Sequence, residues 1–202
     1  QGVHDGGNKG TCHTRRVKVE FLCNHRQRTT DNLCNNNGNN KSDAVVILTV
    51  PKTVTFKSFD FDCESGMLSV ENLNCQNFSA ELGLGDTYIT DINVTGMMEV
   101  DIGVGKFEVK SGSISNLKLS GGVGTAEINA KLTGISDIKA GVGELVVNSN
   151  IPISYYTVNI KKGIGKILVA DKNVSASETI GTGVNVIQIE GGVGSVNVTF
   201  AD

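Results

Sequence analysis

The chain has 202 residues, a formal net charge of −3, 25 glycines, 2 prolines and no tryptophan. Its length suits one domain with a sizeable core or a compact repeat array. No apolar run approaches the ~18 residues of a membrane helix, no dense Lys/Arg patch marks a nucleic-acid surface, and the glycines do not fall on collagen's three-residue period. Membrane insertion and nucleic-acid binding are therefore not expected. Frequent Val and Ile without helical Ala/Leu/Glu runs predict an all-β chain.

Residues 1–43 read as a basic N-terminal segment or cap, with net charge +3 against −6 for residues 44–202. Asn35-Asn36-Asn37-Gly38-Asn39-Asn40 is a low-complexity loop, while Val17-Lys18-Val19-Glu20-Phe21 alternates and predicts one edge or cap strand. All five cysteines (Cys12, Cys23, Cys34, Cys63, Cys75) lie in the first 75 residues, and none forms a close CxxC pair. Cys12, His13, Cys23, His25 and Cys34 offer metal-ligand types, but the preferred reading is two disulfides fastening a cap, with one cysteine left over. Cys63 and Cys75 are expected close in space on adjacent coils. His4, His13 and His25 sit in this loop-rich head and read as surface side chains. The chain begins at Gln1 and carries N-x-S/T sequons at Asn40, Asn77, Asn93, Asn173 and Asn197. Both features fit a secreted or cell-surface glycoprotein.

Residues 44–63 carry Val45, Ile47, Val54, Phe56, Phe59 and Phe61 and read as early, irregular coils holding most of the aromatic core. From there Gly-x-Gly recurs at Gly83-Leu84-Gly85, Gly103-Val104-Gly105, Gly122-Val123-Gly124, Gly141-Val142-Gly143 and Gly163-Ile164-Gly165, starting 20, 19, 19 and 22 residues apart. Glu64-Ser65-Gly66 is a degenerate earlier copy, and Gly181-Thr182-Gly183 and Gly192-Val193-Gly194 follow. A sustained period near 20 marks a solenoid. The second and fourth residues after each motif are mostly apolar (Phe107/Val109, Ala126/Ile128, Leu145/Val147, Ile167/Val169, Val196/Val198), and another apolar residue lies three upstream (Ala80, Val100, Leu119, Ile138, Ile160, Ile189). Two strands per repeat meeting at a glycine corner follow, stacked in parallel because every corner reads in the same direction. The predicted architecture is a parallel β-helix of about 19–22 residues per coil over residues 44–202, with an N-terminal disulfide-containing cap.

The middle residues Leu84, Val104, Val123, Val142, Ile164 and Val193 are expected to form one inward-pointing corner column. Asp86, Lys106, Thr125, Glu144 and Lys166 are expected to form a solvated ladder of alternating charge. From about residue 175 the rhythm breaks, which predicts an atypical C-terminal coil closing the end of the stack.

The recurring Gly-Val-Gly followed by alternating residues resembles the bacterial adhesin-type β-solenoids, including the head-GIN type, over about residues 64–200. The resemblance implies a right-handed parallel β-helix, an extracytoplasmic setting, and an adhesive or scaffolding role without a catalytic motif.

No nucleotide loop is read into the glycines, since no Gly-Lys-Ser/Thr follows and the motif recurs at every coil. Acids on a β-helix can form a carbohydrate-cleaving site, and one could be assembled from Glu108, Glu127 and Glu144, but these occupy ordinary outward positions that a solvated ladder explains more simply, so no catalytic residue is assigned. The expected function is a non-enzymatic, cofactor-free extracellular adhesin-like or surface scaffold protein, with self-association or an extracellular surface or glycan as partner. The alternatives are a structural subunit of a secreted fibre assembled head to tail, using the basic head, acidic body and odd cysteine, and a carbohydrate-active enzyme on a β-helix.

Overall fold

A computed structural model describes residues 16–23, 44–51 and 53–201, and these are all-β apart from a single 3-10 turn at Ile153–Tyr155. Strand β1 (Arg16–Cys23) runs antiparallel to β2 (Ala44–Pro51) on one side. On its other side it pairs, again antiparallel, with residues 66–71 of β3 (Phe56–Val94). The alternating segment expected as a cap strand is therefore β1, and β2 forms the outer strand beside it.

From β3 onward the turns stack in parallel. Strand β4 (Met98–Val109) sets Val100 opposite Ala80 and Val104 opposite Leu84, and β5 (Gly112–Ser115) pairs with the end of β3. The next turn repeats this with β6 (Leu117–Ser120), β7 (Val123–Asn129) and β8 (Lys131–Thr133), which lie on β4 and β5. Strands β9 (Ile135–Lys139) and β10 (Val142–Pro152) then stack on β6 and β7. The fold is thus a curled, β-solenoid-like sheet, as the 20-residue period predicts. Each early turn holds a third short segment (the end of β3, β5, β8) beyond the two strands legible in the repeat.

The last rungs depart from chain order. Strands β11 (Tyr156–Lys161) and β12 (Ile164–Val169) precede β13 (Lys172–Asn173), β14 (Glu178–Ile180), β15 (Asn185–Glu190) and β16 (Val193–Ala201). Yet β15 lies between β9 and β11, and β16 between β10 and β12. Residues 185–201 of the segment expected as an atypical terminal coil therefore form a regular interior rung, while its β14 lies at the outer edge. In that position Ile187, Ile189, Val196 and Val198 are all buried between neighbours. The outermost rung is β11/β12, edged by the short antiparallel strands β14 and β13.

The core follows the alternation. Phe107, Ala126, Leu145, Val196 and Ile167 form one buried file and Val109, Ile128, Val147, Val198 and Val169 a second, each side chain larger than Ala126 worth ~1.5–3 kcal/mol when fully buried. Phe56, Phe59 and Phe61 are only partly buried, with Phe59 stacked on Phe78 at 5.6 Å, and among the described residues the fully enclosed aromatics are Phe78, Phe107 and Tyr156. The Tyr156 hydroxyl lies 2.7 Å from Ser149 Oγ and donates to the Leu132 carbonyl at 2.8 Å.

Cys75 is a fully buried free thiol, so the expected bridge from Cys63 to Cys75 is not formed. It packs among the core's apolar side chains, and burial raises its pKa from 9.0 to about 11. At pH 8 only ~0.1% of such a thiol is ionised. Native protein at that pH is expected to leave Cys75 unlabelled by iodoacetamide, whereas guanidinium-unfolded protein is labelled at once; rapid native labelling would contradict the buried position. The unfolded thiol ionises first as pH rises, so the stability contributed by its burial declines from about pH 9 upward. Cys12 and Cys34 lie outside the described residues, as does the side chain of Cys23.

Candidate functional site

The site begins with the parity of a strand. In β7, Ala126 and Ile128 point inward, while Val123 and Gly124 at its start are both exposed. Leu84, Val104, Val123, Val142, Val193 and Ile164 accordingly project into solvent, 47–75% exposed, which corrects the expectation of an inward column. Sterics enforce the arrangement. A Cβ on Gly122 would stand 1.9 Å from the Gly103 carbonyl oxygen, and one on Gly124 (φ +142°) 1.9 Å from that of Gly105. Adjacent rungs approach too closely for a side chain at either flank, so only the middle residue carries one, and it points away.

The register fixes the spatial order as Leu84, Val104, Val123, Val142, Val193, Ile164. The result is a single file of aliphatic side chains ~4.8 Å apart, bordered on each side by glycine backbone. Behind the corner the glycine backbone leaves two small gaps, one reaching Leu119, Ala126 and Leu145 of the core and one reaching Ile167 and Val196.

A polar file flanks this ridge. Asp86 accepts the Lys106 backbone N–H at 2.9 Å. The Lys106 ammonium sits 2.6 Å from Glu108 and 5.5 Å above the Tyr88 ring, and its hydrogen bond to Glu108 raises its pKa. Thr125, Glu144, Ser195 and Lys166 continue the file, with Ser195 between Glu144 and Lys166. The interior placement of β16 thus separates two charges expected on neighbouring coils.

The candidate catalytic acids do not converge. Glu108 and Glu127 face one another across β4 and β7, while Glu144 belongs to the ridge flank. Glu108 is held by Lys106, and Glu127 accepts from Asn129 Nδ2 at 2.9 Å. Asn129 in turn accepts from Asn148 at 2.6 Å. Among the described residues no three His, Cys, Asp or Glu side chains gather as a metal site, and no helix is long and apolar enough to cross a membrane.

His4, His13, His25 and Asn40 lie outside the described residues. Asn93 and Asn173 are exposed. Exposed Asn77 accepts the Met97 N–H at 3.2 Å, and Asn197 lies between Val146 and Leu168 with its Oδ1 buried and without a hydrogen-bond partner. Sequence reasoning missed a second corner that these amides build. Asn116 (φ +53°) donates to the Gly96 carbonyl at 3.1 Å and accepts the Ile135 N–H at 3.2 Å, and Asn185 accepts the Gly134 N–H at 3.1 Å. The signal was present as Asn77, Gly96, Asn116 and Gly134, a column at the same period as the glycine corners.

One family model, described as Toastrack DUF4097, matches residues 22–181. No curated protein and no solved structure matches the chain.

Proposed function

Because the chain belongs to the Toastrack DUF4097 family, a β-rich repeat domain, we propose that it is a non-enzymatic extracellular scaffold, adhesin-like in action, that attaches through its aliphatic ridge. The exposed file from Leu84 to Ile164 carries this reading. Six stacked aliphatic side chains on a fully paired sheet present a fixed apolar strip to solvent, the kind of surface that marks a contact site. Rigid backing lowers the ordering cost of binding.

The fibre alternative draws on the outer strand β2, where Ile47 is 55% exposed and Leu48 43%. It has less support at the far end, where β13 and β14 edge the last rung and leave only part of it open to another subunit. The carbohydrate-cleaving alternative has less still, since Glu108 and Glu127 are each tied to a polar neighbour and Glu144 stands apart from both.

The test is retention of purified protein on intact cell surfaces. The Val123→Lys/Val142→Lys double variant is expected to lose retention at least ~10-fold with an unchanged circular-dichroism spectrum, whereas Glu127→Gln is expected to behave as the parent. Unaltered retention in the double variant, or a glycan-cleaving activity abolished by Glu127→Gln, overturns the reading.

A further inference from the structure

The ridge is complementary to itself. Its knobs recur at one spacing. A second file with the same spacing meets it side chain for side chain over all six rungs. We infer that the partner of this ridge is a second copy of the chain, its ridge running antiparallel to the first about a two-fold axis crossing between Val123 and Val142. The inference rests on the scaffold reading above and names its partner.

Charge selects the antiparallel arrangement. Leu84 then faces Ile164 of the second copy, Val104 faces Val193, and Val123 faces Val142. The flanking files meet as well, which sets Asp86 against Lys166, Lys106 against Ser195, and Thr125 against Glu144. The two-fold axis repeats each pairing, so two opposite-charge contacts form and no like charges oppose one another. A parallel arrangement turns each polar file toward the other copy's Leu82, Ile102 and Ala140 side and makes neither contact. Lys166 is exposed, and half-buried Asp86 holds the Lys106 N–H with one carboxylate oxygen and lies 3.3 Å from the Tyr88 hydroxyl with the other.

Size sets the strength. A strip about 24 Å long and about 13 Å wide on each copy buries roughly 600 Å² in total, below the ~1,200 Å² of a stable complex. The dimer is therefore weak and concentration-dependent, suited to many copies held side by side on one surface.

Sedimentation velocity on the full chain tests this between ~10 µM and ~1 mM. The parent is expected to shift from monomer toward dimer over that range. Val123→Lys/Val142→Lys is expected to remain monomeric throughout, and Lys166→Glu to dimerise at least ~3-fold more weakly, while Lys131→Glu, an exposed charge on β8, is expected to match the parent. A parent that stays monomeric at ~1 mM, or a dimer indifferent to the double lysine variant, overturns the inference. A dimer lost in the double variant yet indifferent to Lys166→Glu overturns the antiparallel arrangement. If the parent is monomeric while the double variant still loses cell-surface retention, the second-copy partner falls and the scaffold reading stands. If neither measurement responds, both fall.

Discussion

Gly124→Val is expected to abolish folding, while Val123→Asp, one residue away, is expected to leave the melting temperature within a few degrees of the parent. The new Cβ at position 124 would lie 1.9 Å from the Gly105 carbonyl oxygen, at a φ of +142° that a β-branched residue scarcely adopts. Relief requires two rungs to separate, which breaks the parallel pairing of β4 with β7 and exposes the Phe107 and Ala126 file. Position 123 has no such constraint. Its side chain is 49% exposed, and surface changes of this kind usually stay within about 0.5 kcal/mol, with a similar allowance for strand propensity. Circular-dichroism melts of the two variants decide the matter. An unfolded Val123→Asp protein beside a folded Gly124→Val protein would return the aliphatic column to the interior.

Tyr156→Phe is expected to destabilise the chain by ~1–3 kcal/mol, a loss of several degrees in melting temperature. The phenol ring is fully buried 5.1 Å from Phe200, so removing the hydroxyl leaves the packing intact and isolates the polar effect. What remains is the Leu132 carbonyl without this donor and Ser149 without the acceptor its hydroxyl reaches. Both lie deep enough that water does not readily replace the lost partner. The same burial raises the Tyr156 pKa, opposed by its hydrogen bonds. An unfolded tyrosine ionises near pH ~10, so this site's contribution is intact below that pH and is lost as the pH climbs through the higher folded value. Denaturant titrations of parent and variant at pH 7 are expected to differ, and their difference to shrink in strong alkali. Equal stability at pH 7 would remove the hydroxyl from the account.

The turns were legible because a solenoid writes its period into the chain. Each Gly-x-Gly marks a corner where rungs touch backbone to backbone, and the apolar pairs such as Leu145/Val147 mark the strand that follows. The direction of the corner side chain was legible too, but from the wrong half of the repeat. Counting forward from Val100 puts Val104 inside, while counting back from Val109 and Phe107 puts it outside, and its 47% exposure shows that the downstream strand governs. The stacking order was not legible. Equivalent rungs offer equivalent edges, so nothing in the spacing tells Val193 to lie beside Val142 rather than beyond Ile164. The ridge as a contact surface was hidden for the same reason that the column was misplaced, since an aliphatic residue repeating at a fixed interval reads as core until its parity is settled. Tyr156 was hidden because its hydrogen-bond partners, Ser149 and Leu132, come from different segments of the chain.

The interior position of β15 and β16 changes how this molecule is made. A stack that follows chain order can add each rung as it emerges from the ribosome, with every newcomer landing on a finished edge. Here residues 156–169 emerge before residues 185–201, yet they settle farther out. Until the later segment arrives, β11 and β12 have only the short strands β14 and β13 beside them, and β9 and β10 present an open seam to anything nearby. Completion is an act of threading a gap rather than of zipping an end, with pairings such as Val142 to Val193 reaching across 51 residues. Such long-range closure slows folding and prolongs the exposure of the seam. A nascent chain halted before residue 185 would lack the wedge that joins its two halves, making that stretch of translation the period in which the protein depends most on its chaperones.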